Sequence, residues 1–236
     1  MDEISCISCS NTKCFIQKFC TPKWIQIIDQ VKHQSTYKQS QDIITEGYPI
    51  LGVFFIQRGK VKVYSTGRNR KQQIVRFASP GHLLGHRANE KEVYPIGAKA
   101  MDDSIICFIE NKMLGEIFEG NPKFVLELMK FYSVELRKIE SRMKHLAQMN
   151  LREKISDALL LIWREFGLDE QQKLNLHFTR EDIANIAGTT PEQVMKQLTI
   201  FEEETFILKD GRQIKILNLE GLQNVIKTFD QKPILA

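Results

Sequence analysis

Long apolar runs are missing from this chain of 236 residues. No stretch approaches the roughly 20 consecutive apolar residues a membrane helix needs. The first residues, acidic and rich in cysteine, do not form a secretory leader. Together these absences predict a cytoplasmic protein with no membrane partner. Also missing are the glycine fingerprint of a dinucleotide fold, the HExxH pair of a zinc hydrolase and the GxSxG elbow of a serine hydrolase. Nothing in the sequence therefore marks an enzyme. Excess positive charge is slight: the formal net charge is +4, and from residue 151 onward 11 Lys and Arg stand against 14 Asp and Glu. A basic field is thus excluded as the source of nucleic-acid affinity in that half. Binding there has to rest on a few placed residues. Cysteine is scarce as well, five residues in all, yet four of them crowd into the first twenty positions.

The most informative stretch runs from Thr179 to Glu203. Ile183, Ile186 and Ala187 recur at helical spacing, Thr179 and Asp182 form a capping box, and Gly188 stands where a helix ends with positive φ. Thr190 then caps a second helix, with Pro191 at its first position and Gln193 completing a second box. Val194, Leu198 and Phe201 make the inward stripe of that helix. Glu192, Gln193, Lys196 and Gln197 fall on the wet side. Two short helices around a tight turn are a helix-turn-helix pattern, whose second helix enters the major groove; the plainer alternative is a helical hairpin with a solvated face. Apolar runs on both sides of Asp210-Gly211 add a β-hairpin, and so a winged helix.

The chain divides into four expected segments. Residues 1–20 carry Cys6, Cys9, Cys14 and Cys20. In a reducing compartment such a cluster points to metal or redox chemistry more than to disulfides. Residues 21–120 open with a short helix bearing Trp24, Ile27, Ile28 and Val31. Brief β-branched runs follow, separated by Gly47, Gly59, Gly67, Gly81 and Gly85, the pattern of a small antiparallel barrel or roll. Residues 121–149 read as one long helix. Phe124, Leu128 and Phe131 can pack on the roll, while Met129, Tyr132, Leu136, Ile139, Met143 and Leu146 form a heptad-like seam that predicts a homodimer. Asn150 and Glu153 restart a helix by capping-box logic, opening a C-terminal domain over 150–236.

An α+β chain built as an antiparallel β-roll, a long dimer helix and a winged helix, in that order, resembles the CRP/FNR family of bacterial transcription regulators. The local matches are RGKVKVYS from Arg58, the Gly81-x3-Gly85 segment and TREDIANIAGTTPEQVMKQL from Thr179. The resemblance implies double-stranded DNA and RNA polymerase as partners. Glu192 matches a base-reading Glu, able to accept from cytosine N4, and Lys196 stands where Arg is usual, with no fork to grip guanine. Met195 and Pro191 replace other contact residues, and Gln193 lies between. Thr179, Arg180 and Thr190 match phosphate positions.

The effector cassette departs from the family's nucleotide-binding members. His86 stands at the ribose-binding Glu and Tyr94-Pro95 stand for the Arg-Ser pair, which argues against cyclic AMP, since an unpaired buried anion is costly. Gly85, His86, Arg87 and Lys99 remain the candidate effector residues, His86 being more often a surface histidine than a ligand. In the FNR branch an oxygen-sensitive 4Fe-4S iron–sulfur cluster is held by three N-terminal cysteines and a fourth in the roll. Cys6, Cys9, Cys14 and Cys107 match those positions, with Cys20 as an alternative ligand. Zinc held by four thiolates, a thiol switch and no metal at all stay open. So do two other readings of the whole: a cysteine-based redox or metal-handling protein, and a ligand-binding module whose helix-turn-helix is only scaffold.

Overall fold

The computed structural model describes residues 4–85, 93–175, 178–211 and 213–226. The chain forms two compact units, residues 1–136 and 137–236.

The first unit begins with α1 (Phe15–Phe19) and α2 (Pro22–Val31). Eight strands follow: β1 (His33–Tyr37), β2 (Asp42–Ile44), β3 (Gly52–Arg58), β4 (Val61–Thr66), β5 (Gln72–Ala78), β6 (Leu83–Leu84), β7 (Gly97–Ala100) and β8 (Ser104–Glu110). They make two antiparallel four-stranded sheets, ordered β1-β8-β3-β6 and β2-β7-β4-β5. Alternation drives the pairing. In β4, Val61 and Val63 point inward and are buried, while Lys62 between them is only half-buried. Gly59, at φ +106, makes the tight link from β3 to β4. A Cβ there would lie 2.1 Å from the Ser104 hydroxyl, so only glycine fits the turn.

The unit holds two apolar clusters. One lies between the sheets and includes Ile44, Val61, Val63, Tyr94, Ala98 and Ile106. The other lies where β3 and β8 meet helices, and includes Phe15, Ile28, Phe55, Ile109, Ile117, Phe124 and Leu128. The first twenty residues are therefore not a loose tail. Phe15 of α1 is buried and meets Phe124 edge-on at 5.2 Å. No amphipathic repeat announces so short a helix, which is why periodicity did not show it. After β8 come α3 (Asn111–Gly120) and α4 (Pro122–Gln148). Phe124 and Leu128 are buried as expected. Met129, Leu136 and Met143, spaced by seven, are more than half exposed, and Tyr132, Ile139 and Leu146 are half-buried.

The second unit contains α5 (Leu151–Phe166), α6 (Arg180–Ala187), α7 (Pro191–Glu203), a hairpin of β9 (Ile207–Asp210) and β10 (Gln213–Ile216), and α8 (Leu219–Val225). Asn150 and Glu153 form both halves of their capping box. Ile155, Leu159, Ile183, Ile186, Val194, Leu198, Phe201 and Ile207 have essentially no exposed surface. Each such side chain contributes about 1.5–3 kcal/mol by leaving water. Buried among them, Asp157 of α5 faces Arg142 at 3.2 Å, His145 at 3.5 Å and Arg164 at 3.4 Å. Arg142 also donates to the carbonyl of Ile186, near the end of α6. The last turns of α4 are thereby tied to the helix-turn-helix.

Candidate functional site

Two places gather the residues singled out in the sequence. The first is the N-terminal edge of α7. Gly188 closes α6 in the left-handed conformation, φ 65 and ψ 39, and Thr190 caps α7 by accepting from the Gln193 N–H. Glu192, Gln193, Met195 and Lys196 are exposed, while Val194, Leu198 and Phe201 are buried behind them. Gln197 departs from its expected place on the wet side. It is 7% exposed, and its Nε2 has no hydrogen-bond partner among the described residues. Three residues beyond Val194 and four before Phe201, it sits on the inward face of the same turn. The second capping box is only half formed, because the Gln193 side-chain oxygen accepts from Thr189 instead.

Electrostatics sharpen this edge. A hydrogen bond from Thr190 holds the Glu192 carboxyl below its ordinary range, so it is a carboxylate acceptor at neutral pH. Thr179 accepts from the Asp182 N–H at 3.0 Å and donates its hydroxyl proton to the Asp182 carboxylate at 2.8 Å. Its one donor is thus spent on the cap. Arg180 has its Nη1 buried and unbonded among the described residues, and burial pulls its pKa down. Two of the three glutamates at the far end of α7 are neutralised. Glu204 takes a bidentate pair from Arg152 at 2.9 and 2.6 Å, and Glu202 pairs with Lys209 at 2.9 Å. These pairs leave the net charge of this half unchanged but keep Glu202 and Glu204 from standing as unpaired carboxylates.

The second place is a small cavity on the roll, lined by Cys6, Cys9, Cys14 and Cys107 together. Cys20 is not among its walls; it is 9% exposed and belongs to the helix-covered core. Desolvation raises the pKa of three of the four thiols, Cys6 to about 12 and Cys14 and Cys107 in the same direction. Three neighbours gave no sequence signal. Lys32 is buried and pairs with Asp29 at 2.6 Å. The Gln34 amide donates toward Cys107 Sγ at 3.5 Å, and the Gln57 amide toward Cys9 Sγ at 3.9 Å. A polar residue in a strand reads as solvent-facing, and only the packing of residues 4–14 over this face turns these three inward. Among the described residues no group of three or more His, Cys, Asp or Glu side chains is arranged to hold a metal ion. The cavity is about 30 Å³, room for a water or two.

Of the four expected effector residues, Gly85 and Lys99 are described. His86 and Arg87 lie outside the described residues. Lys99 pairs with Asp42 at 3.4 Å. Tyr94 fills the space between the sheets beside Gly85: its hydroxyl donates to the Gly52 carbonyl at 2.8 Å and accepts from the Leu51 and Gly52 N–H groups.

A roll with a helix-turn-helix on one chain defines a DNA-binding regulator. Residues 34–121 match the family model of the cyclic nucleotide-binding domain, and residues 153–225 match that of the Crp-like helix-turn-helix domain. The transcriptional activator protein anr of Pseudomonas aeruginosa is 27% identical over 214 residues, covering 87% of each chain. The anaerobic regulatory protein of Haemophilus influenzae is 25% identical over 231 residues, covering 94% of this chain and 90% of that one. In fold, the chain is similar to FixK2 from Bradyrhizobium japonicum, with a TM-score of 0.71, 23% identity, and coverage of 83% of this chain and 97% of the other. It is also similar to the c-di-GMP responsive regulator CLP of Xanthomonas campestris, with a TM-score of 0.75, 15% identity, and coverage of 83% and 99%. The chain belongs to the CRP/FNR family and is a transcription regulator of that type with a DNA-binding helix-turn-helix. No described helix is long and apolar enough to cross a membrane.

Proposed function

We propose that the protein is a homodimer that reads two half-sites with paired copies of α7, acts through RNA polymerase, and takes its signal from an iron–sulfur group on the roll. The observation that carries the reading is the exposed edge of Glu192, Gln193, Met195 and Lys196, backed by a fully buried stripe. Glu192 accepts from a cytosine amine, Lys196 donates to guanine, and Met195 meets a thymine methyl. Thr190 and Arg180 serve the phosphates, with Thr179 holding α6 in place. Domain roles follow: residues 21–120 sense, 121–149 join two copies, and 150–236 read DNA.

Four thiols around one cavity supply the donor set of a 4Fe-4S cluster. Zinc would need all four sulfurs about 2.3 Å from a single point, and no such convergence exists among the described residues. A four-iron core takes one thiolate per iron, and four thiols line this cavity. The cavity is smaller than such a core, so loading it requires residues 4–14, which form turns without regular structure, to lift outward. When bound, the group would supply one-electron and oxygen chemistry; Cys6, Cys9, Cys14 and Cys107 would hold it. Tyr94 between the sheets, with its hydroxyl already bonded, supports the view that cyclic AMP is not the effector.

Gel shifts on genomic fragments at low and moderate salt, with anaerobic protein, test the DNA reading. Selective retention of a few fragments is expected, and equal affinity for all sequences would sink it.

A further inference from the structure

We propose that Thr189 locks Gln193 as a pure hydrogen-bond donor to DNA, so that this residue selects guanine in place of the adenine an untethered glutamine would take. The inference rests on the α7 reading above and deepens it. It gives Gln193 a base to read and makes the buried Thr189 a positioning residue.

Backbone bonds fix both residues before their side chains meet. Thr189 lies between Gly188, the left-handed end of α6, and Thr190, the cap of α7. Its N–H donates to the Ala184 carbonyl at 3.0 Å. Gln193 is the third residue of α7, and its N–H donates to the Thr190 hydroxyl at 3.4 Å. Thr189 is 7% exposed, while Gln193 is exposed. The Thr189 hydroxyl donates to Gln193 Oε1. Gln193 Nε2 makes no hydrogen bond among the described residues.

An amide can turn half a revolution about its last bond, so its two ends are told apart by what each would meet. The Thr189 hydroxyl carries one hydrogen, and Gln193 Oε1 is the acceptor it reaches among the described residues. Turning the amide would bring a second donor to that hydroxyl. Its own hydrogen would then be buried without an acceptor, which is costly. The oxygen therefore faces the protein, and the two Nε2 hydrogens face outward.

A glutamine reads adenine with both ends of its amide, accepting from the N6 amine and donating to N7. Both ends must then lie on one edge, and Thr189 turns the oxygen away from it. A nitrogen with two hydrogens remains. Guanine sets two acceptors, N7 and O6, side by side in the major groove. Adenine sets N7 beside a donor, and cytosine offers only its amine. Donor meets acceptor best at guanine and meets another donor at cytosine. With Lys196 one turn further on, the edge carries two donors to the single acceptor Glu192.

The test uses the full chain, kept anaerobic, and a library of duplexes with randomised half-sites, selected at one fixed salt concentration and sequenced. Gln193→Leu is expected to lose a several-fold preference for guanine at one position of each half-site, with the other positions unchanged. At that position Thr189→Val, which keeps the volume and removes the hydroxyl, is expected to shift preference several-fold from guanine to adenine. Thr189→Ser, which keeps the hydroxyl, should hold guanine. Gln193→Glu, an acceptor there, should favour cytosine or adenine. A merely structural role for Thr189 would weaken all duplexes alike and leave the base order as it was. Melting curves check folding, and Gln193→Glu decides if Thr189→Val does not fold. An unchanged base order in Thr189→Val, or guanine still favoured by Gln193→Glu, would overturn the proposal and leave the DNA reading standing. Equal weakening of all duplexes by Gln193→Leu would assign its amide to a phosphate and overturn the proposal as well. Unmodified protein that selects no sequence would overturn both.

Discussion

Glu192 shows what a single residue can carry. It is exposed at the first turn of α7 and kept ionised by Thr190. Glu192→Ala is expected to narrow the preference for the cognate base by about ten- to a hundred-fold in competition gel shifts, with affinity for random DNA little changed. Arg180→Ala should do the opposite, weakening all sequences alike and reducing the salt slope by about one. If both variants lose cognate and random binding equally, the division between base and phosphate roles is wrong. At this scale the sequence was readable where chemistry and helical phase agree, as at Glu192 and Lys196. Gln197 misled, because a polar residue at the border of an apolar stripe can fall on either side, and neighbouring packing decides. Lys32, Gln34 and Gln57 were unreadable for the same reason.

Helices and their ends form the next scale. The caps at Asn150 and Thr179, the positive φ at Gly188 and Pro191 at the head of α7 follow from local hydrogen bonding and sterics, and so they could be read from sequence. Asn150→Ala should cost about 1 kcal/mol in denaturant melts. The Asp157 cluster joins three helices and is invisible locally. Asp157 is buried against Arg142, His145 and Arg164. Desolvation acts to raise its pKa, but hydrogen bonding from His145 and the charges of Arg142, His145 and Arg164 outweigh this and lower it. A carboxyl whose folded pKa is depressed stabilises above its unfolded value, near 3.9, and loses that contribution as pH falls through the folded value. Asp157→Asn should therefore destabilise the C-terminal unit by about 3–5 kcal/mol at neutral pH. The gap from the unmodified protein should shrink in melts below about pH 4. A gap that stays constant with pH would assign the loss to packing.

At the scale of the molecule the open question is what covers α4. Met129, Leu136 and Met143 leave apolar surface in water along one line, in the heptad phase that a paired helix would bury. Leu136→Glu with Met143→Glu should give a monomer by analytical ultracentrifugation that melts as two folded units. It should bind a palindromic site much more weakly, yet a single half-site nearly as well as the parent. A dimer that survives both changes would place the joining surface elsewhere.

Composition and periodicity alone determined the α+β class, the roll, the long helix with two apolar faces and the helix-turn-helix, because each follows from alternation, heptad spacing or a cap within a few residues. Only the tertiary structure decided that α1 is core, that Tyr94 fills the roll and that Cys6, Cys9, Cys14 and Cys107 share one cavity while Cys20 does not. Those facts depend on side chains far apart in the chain competing for the same space. Short-range signals say nothing about which of them meet.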